Sequence, residues 1–212
     1  MKIFLVRHAE GKSTGLNWQT PKTALSERGV KQAEILASRL SKFKVIDLII
    51  TSGWTRAQQT AEIVGKIINK PINIVEEIHE RQQSSKIYGL SRASQLAEQY
   101  WSSLIKNRND WNYKWDNEEE SSAELIKRTI GFKENLIKNY SQKSVLVVSH
   151  ESFLSGLVTT CVLGNKFNNN YFKNLFRSTA IENTGLSLLI YREEQKTWKL
   201  WYLNDYSHLS SL

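Results

Sequence analysis

The feature that most constrains this chain is a repeated alternation of short, almost unbroken apolar runs with stretches of helical period. Residues 3–6 (IFLV), 45–51 (VIDLIIT) and 144–149 (SVLVVS) are too short and too rich in β-branched side chains to be helices. They read as buried strands, and residues 72–76, just after Pro71, read as another. Between them the period changes. Val30, Ala33, Ala37 and Leu40 recur at helical spacing behind Ser26, a suitable N-cap, and Ala57, Ala61, Val64 and Ile68 keep that spacing over residues 55–68. Strands that are apolar throughout need cover on both faces. The order strand, helix, strand, helix therefore specifies an α/β fold in three layers, a mostly parallel sheet flanked by helices on both faces.

From residue 82 to 117 this rhythm lapses. The segment holds one expected helix, residues 91–107, and the aromatic stretch WNYKW at 111–115, and reads as a small inserted cap over the site. Regular structure resumes at Ser121 or Ser122, with Leu125, Thr129, Phe132 and Leu136 on one helical face. The strand at 144–149 leads into a helix through about residue 163, and strands at 184–191 and 197–203 are expected to pair antiparallel at a sheet edge. No repeat or low-complexity linker interrupts the chain, so one domain, 1–212, carrying the insertion is expected.

Four candidate groups follow predicted strands closely: Arg7-His8 the first, Arg56 the second, Glu80 the third and His150 the fourth. If those strands are parallel, all the groups share one edge of the sheet, the edge where ligands bind in open α/β folds. Arg56 would also open a helix, whose N–H groups and dipole favour an anion. An arginine fork holds phosphate oxygens in pairs, and a neutral imidazole nitrogen can attack phosphorus. Taken singly, each residue has a plainer role: a surface ion pair for Arg56, a solvated carboxylate for Glu80, a capped strand end for His150. His8 would have to be neutral to attack, whereas His150 would serve best as a positive donor, so contrasting environments are expected for the two rings.

The charge balance agrees with an anionic ligand. The net charge of +8 arises from 29 basic and 21 acidic residues scattered along the chain, and the densest charge run, residues 116–120, is acidic. No zinc-finger spacing or RNA-binding aromatic motif accompanies the basic residues, so a general surface charge, which could speed capture of a phosphorylated substrate, is expected rather than a nucleic-acid site. No apolar run approaches the ~18 residues of a membrane span, and no secretion signal opens the chain. The lone cysteine, Cys161, excludes an internal disulfide, sits in an apolar stretch and reads as packing; a cytoplasmic protein is expected. No Asp/His cluster has metal-ligand spacing, so neither metal nor cofactor is expected. A homodimer stays open.

Arg7-His8-Ala9-Glu10, Leu25-Ser26-Glu27-Arg28-Gly29, Ser52-Gly53-Trp54-Thr55-Arg56-Ala57-Gln58-Gln59-Thr60-Ala61 and Val147-Val148-Ser149-His150, in this order, resemble the motifs of the histidine phosphatase superfamily, the phosphoglycerate-mutase-like proteins. Weaker echoes stand at Glu80-Arg81, Glu120-Ser121, Asn183-Thr184 and residues 204–209. The resemblance implies a phosphatase that hydrolyses a small-molecule phosphomonoester, a small phosphorylated metabolite, without metal. His8 would become a phosphohistidine, Arg7, Arg56 and His150 would cradle the phosphoryl oxygens, and Glu80 would act as general acid and base. Thr14 stands where the family often has an asparagine and is a candidate phosphate contact. Glu151 replaces a common glycine and could repel a second anion. A mutase returning the phosphoryl group to its substrate, and a non-catalytic module binding a phosphorylated ligand, are the alternatives; the replaced segment 82–89 counts against the mutase. His79 is expected to point away from the site and His208 to pack or cap. Trp111, Trp115, Trp198 and Trp201 are left to a pocket, a dimer contact or the core.

Overall fold

The computed structural model describes residues 1–13, 15–164, 169–210 and 212, with backbone alone at 169–172. Strands β1 (Lys2–Arg7), β2 (Leu48–Thr51), β3 (Ile72–Ile74), β4 (Ser144–Ser149), β5 (Leu186–Arg192) and β6 (Thr197–Asp205) form one sheet in the order β3-β2-β4-β1-β5-β6. The pairs β1–β4, β2–β4 and β2–β3 are parallel, while β5 runs antiparallel to both β1 and β6. The expected mostly parallel α/β sheet is thus observed, with the C-terminal hairpin at its edge.

Alternation along the strands divides the core into two layers. Ile3, Leu5, Ile50, Val145 and Val147 face α4 (Ser122–Tyr140) and α5 (Glu151–Leu163), packing on Phe132, Leu136, Phe153 and Leu157. Phe4, Val6, Ile49, Leu146 and Val148 face α1 (Glu27–Ser41) and α2 (Thr55–Ile68), packing on Leu36, Ala37, Ala61 and Val64. Each fully buried Ile or Leu contributes about 1.5–3 kcal/mol relative to exposure. Helices lie on both faces because both faces of each central strand are apolar.

The helix boundaries have local causes. Ser26 Oγ accepts from Gly29 N at 3.0 Å and caps α1. Gly29 presses on the loop after β1, where an added Cβ would lie 2.0 Å from Glu10 O. Ser121 and Glu124 form a reciprocal capping box that starts α4. The buried stripe of α1 consists of Gly29, Gln32, Ala33, Leu36, Ala37 and Leu40. Val30, expected in it, lies at the solvent boundary with 37% exposure.

Several expectations are corrected. β2 begins at Leu48, because Asp47 turns its carboxylate to accept from Ser144 N instead of extending the strand. β3 ends at Ile74, where the chain enters a single 3₁₀ turn over Glu76–Ile78. The helix expected at 91–107 is α3 (Gln95–Lys106), started by the Ser94 cap. Residues 91–94 instead follow the loop before α1, with an Asn17–Ser91 bridge. β5 starts at Leu186, since Thr184 holds a positive φ of 58°. Helix α6 (Asn169–Arg177) was not legible: its asparagines are weak helix formers and its span is short.

Segment 82–117 has an apolar cluster of its own. Ile87, Ala97 and Tyr100 bury against Trp18, with Leu104 and Trp115 packed at the margin. Two residues of the acidic run at its end, Glu119 and Glu120, turn inward, while Glu118 is exposed. Glu119, with its side chain fully buried, accepts from Tyr100 Oη at 2.5 Å and Trp115 N at 2.7 Å, and pairs with Arg81 at 3.5 Å. Glu120 takes both Nε and an amino group of Arg128, at 2.8 and 2.6 Å. Among the described residues no helix is long and apolar enough to cross a membrane.

Candidate active site

Parallel register brings the candidate groups together. Arg7 lies opposite Ser149 across β1 and β4, and one residue further His8 N donates to Ser149 O at 2.8 Å. The tip of β2 joins them through Ser52 N, which donates to Val148 O. His8 and His150 therefore emerge side by side, with ring centroids 4.9 Å apart. Both are buried, at 4% and 0% exposure.

The two ring nitrogens of His8 have different partners. Nδ1 lies 2.7 Å from Ala9 O, which only accepts, while Nε2 lies 2.9 Å from the Nε–H of Arg56, which only donates. The tautomer that satisfies both is the neutral one with its proton on Nδ1. Burial, then the charges of Arg56 and Arg7, holds the His8 pKa well below 6.5, against a smaller raising effect of the Ala9 carbonyl. Arg56 enters from the second position of α2 and also donates to Thr20 O at 3.0 Å. Burial lowers its pKa to about 10, opposed by Glu80, so it remains a cation at neutral pH.

His150 does not occupy the contrasting environment expected for it. Burial and the Arg56 charge, followed by His8, hold it well below 6.5 as well, so the enclosure keeps both rings neutral. Its Nε2 is 2.7 Å from Ser52 Oγ, which accepts in turn from Trp54 N at 3.2 Å. With that lone pair of Ser52 used, its hydroxyl proton can go to His150 Nε2, which leaves the ring proton on Nδ1. That buried atom has no partner among the described residues, and can donate as a neutral group.

Arg7 is anchored by Ile181 O at 2.6 Å and by Glu151 at 3.0 Å, while its buried Nε has no partner among the described residues. Glu151, expected to repel an anion, is thus engaged by Arg7. Burial raises its pKa, opposed by that guanidinium. Glu80 reaches the N-terminus of α5, where its Oε1 accepts from Ser152 N at 3.0 Å and from Arg81 N at 2.9 Å. Thr14 lies outside the described residues.

Other residues complete the cage although the sequence assigned them no place in it. Trp54 contacts His150 edge-on at 5.0 Å, and the Arg56 guanidinium lies 4.9 Å from its ring centroid. His79, expected to point away, stacks on the same tryptophan at 5.8 Å with planes 7° apart. Thr60 Oγ1 accepts from Ala9 N and donates to Arg56 O, tying the β1 tip to α2. Asn183 Nδ2 donates to His8 O at 2.7 Å, and Thr184 N to Arg7 O at 3.0 Å. The motif at Ser52–Ala61 contained Ser52 and Thr60, but only the fold shows what they hold. His208 bridges Arg39 and Thr184, and Cys161 is buried with its thiol pushed up to about 12 by desolvation.

Two cationic guanidiniums and two neutral imidazoles converging at a strand edge form a site suited to a compact oxyanion. Among the described residues no group of three or more His, Cys, Asp or Glu side chains is arranged to hold a metal. The sequence profile of the histidine phosphatase superfamily, branch 1, matches residues 3–204, and the chain belongs to that family. It is similar to the uncharacterized phosphatase PhoE of Bacillus subtilis (strain 168), with 29% identity over 216 residues, 98% of this chain and 96% of the relative. The metal-independent phosphoserine phosphatase of Arabidopsis thaliana is 27% identical over 216 residues, 100% of this chain and 84% of its own length. The fold matches that of the alpha-ribazole phosphatase from Shigella flexneri with a TM-score of 0.78 at 24% identity, covering 97% of this chain and 96% of that one.

Proposed function

We propose that this protein is a phosphatase hydrolysing a small-molecule phosphomonoester, with His8 as nucleophile and Glu80 as general acid and base. The observation that carries the reading is the state of His8: a neutral ring, its Nδ1 proton fixed by Ala9 O, with Nε2 facing a buried guanidinium. Such a ring has a lone pair for phosphorus and a ready positive partner for the phosphoryl oxygens.

In the first half-reaction Nε2 forms a bond to phosphorus as the ester P–O bond breaks. Arg56 redirects its Nε–H hydrogen bond from the ring to a phosphoryl oxygen, keeping its proton, and Arg7 and His150 Nδ1 donate to the others. Glu80 gives its proton to the leaving alkoxide; since Oε1 already accepts two N–H groups, that proton belongs on Oε2. In the second half-reaction water attacks phosphorus, its proton passes to Glu80, and the N–P bond breaks to release phosphate. The cage provides the positive charge this transfer needs, and no step is routed through a metal. The names of the similar phosphatases support hydrolysis.

The test is phosphate release in EDTA from p-nitrophenyl phosphate and a panel including phosphoserine, with His8→Ala run beside the wild type. Rapid base quench should trap phosphohistidine in the wild type alone, and the variant should lose at least ~10³-fold in kcat/KM. Release that survives His8→Ala would overturn the mechanism. Brisk isomerisation of 3-phosphoglycerate without hydrolysis would favour the mutase, and silence in both channels a binding module.

A further inference from the structure

A second space opens beside the oxyanion cage. A cavity of about 270 Å³ is lined by α3, residues 107–113, the start of α4 and α6, close to the lower end of the ~300–1,000 Å³ usual for small-molecule sites. It adjoins the cage through Arg81 and Ser152, which both line the cavity and whose backbone N–H groups both hold Glu80 Oε1. The carboxylate assigned to protonate the leaving group does not line the cavity itself but is held by two residues that do. An ester whose phosphoryl group occupies the cage would direct its alcohol half into this cavity.

The lining has a marked chemistry. Trp101, Leu104, Trp111 and Phe176 supply broad apolar walls, the kind that accept a planar ring. Arg108, Lys173 and Arg177 add three cations, against a single acid, Asp110. Arg81, also lining it, is balanced by Glu119. Among the described residues none of the three cations has a carboxylate within ion-pair distance. Lys173 Nζ donates to Asn109 O at 2.8 Å and lies 5.1 Å from the Trp111 ring centroid, and Arg177 donates to Arg108 O at 2.5 Å. Backbone carbonyls fix the positions of these charges without neutralising them.

We propose that this cavity is the leaving-group subsite and selects an aromatic alcohol bearing a second anionic group, a carboxylate or a further phosphate. The inference rests on the phosphatase reading and deepens it. The ring would pack between the tryptophans, and the second anion would meet the cations that lack a carboxylate partner. Such selection would work through discrimination between substrates and leave the chemistry at His8 unchanged.

The experiment compares kcat/KM for 4-(2-carboxyethyl)phenyl phosphate with 4-propylphenyl phosphate, which has the same ring and nearly the same shape but no second charge. Two alkyl esters that both carry a carboxylate, 4-carboxybenzyl phosphate and the ringless 5-phosphonooxypentanoate, have leaving alcohols of similar acidity and differ in the ring. Wild-type enzyme should favour the charged aryl ester over the uncharged one, and the benzyl ester over the ringless one, by ~10-fold or more, and Lys173→Met/Arg177→Met should bring the carboxylate preference toward one. Should that double variant fail to fold, Arg108→Met serves instead, since its side chain makes no hydrogen bond or ion pair among the described residues, and it should cut the preference at least ~3-fold. Equal wild-type rates on the charged and uncharged aryl esters, no advantage of the benzyl ester over the ringless one, or a preference unchanged in the variants, would overturn the subsite. If p-nitrophenyl phosphate is meanwhile hydrolysed in a His8-dependent way, the phosphatase reading stands and only the subsite fails. If it is not, the underlying reading fails first.

Discussion

At the scale of single residues the site depends on which atom of each side chain is already engaged. His8 has both nitrogens committed, Nδ1 to Ala9 O and Nε2 to Arg56, so its tautomer is set before any ligand arrives. Glu80 has Oε1 committed and is predicted to work through the other oxygen. Glu80→Gln should therefore reduce hydrolysis of alkyl phosphates by about 10²–10⁴-fold, the usual worth of a general acid. On p-nitrophenyl phosphate, whose phenolate leaves without help, the first half-reaction should be far less affected; burst kinetics on the two ester types would separate them. An equal loss in the burst phase on both would argue against Glu80 as acid. Ser52 is a positioning residue: it contacts His150 and Trp54 N, and no substrate contact is assigned to it. Ser52→Ala frees the His150 ring and should lower kcat/KM about 10-fold, with Ser52→Thr restoring part of it if the hydroxyl is what matters. A rescue by threonine is the result a purely steric role would not produce.

At the scale of elements, the edge loops are aimed by the helices that follow them. α1 presses Gly29 onto the Glu10 carbonyl, and Ser26 N donates to that same oxygen at 2.9 Å. Backbone on backbone leaves no flexible side chain to yield, so Gly29→Ala should cost about 1–3 kcal/mol in urea unfolding. It should also lower activity, because Glu10 is two residues from His8. α4 is secured separately by its capping box, and Ser121→Ala should cost about 1 kcal/mol, or roughly 2–4 °C in melting temperature. That loss is expected without a change in the burst of p-nitrophenol, a contrast the two variants measured together would show. The acidic run at 116–120 shows what composition leaves open at this scale. The sequence marks it only as the densest charge run, yet Glu119 lies beneath α3 bonded to Tyr100 and Trp115, and Glu120 takes the guanidinium of Arg128.

At the scale of the whole molecule, four histidines make stability depend on acid just below pH 6.5. His8 and His150 are lowered well below 6.5 chiefly by burial, and His79 and His208 are lowered too, again by burial first. Below about pH 6.5 the unfolded chain takes up protons that the folded chain refuses, so unfolding gains on folding as pH falls. The stability these rings confer is complete above 6.5 and is lost progressively toward their lower folded-state values. Each of the two fully buried rings adds up to about 1.4 kcal/mol per pH unit in that window. Asp205, lowered by its hydrogen bonds from Arg39 and Ser207, acts in the same direction at more acidic pH. The melting temperature should therefore fall between pH 6.5 and 5, and inorganic phosphate should oppose the fall by binding the folded cage. A flat profile over that range would contradict the assigned neutrality of the two rings.

The sequence alone determined the elements and the edge. Apolar runs at 3–6 and 144–149, the helical periods between strands, and the positions of Arg7, His8, Arg56, Glu80 and His150 at or after strand ends were all legible, because strand and helix periods are local properties of the chain. Tertiary structure decided what those side chains experience. The shared neutrality of His8 and His150, the inward stacking of His79 on Trp54, and the burial of Glu119 arise from contacts between segments remote in sequence. Desolvation and a neighbouring charge act through space, so a pKa follows the packing around a residue and not the residues beside it in the chain. The cavity beside Glu80 belongs to the same category: α6, which supplies Lys173 and Arg177, carries little local helical signal, and its place against α3 is set by packing.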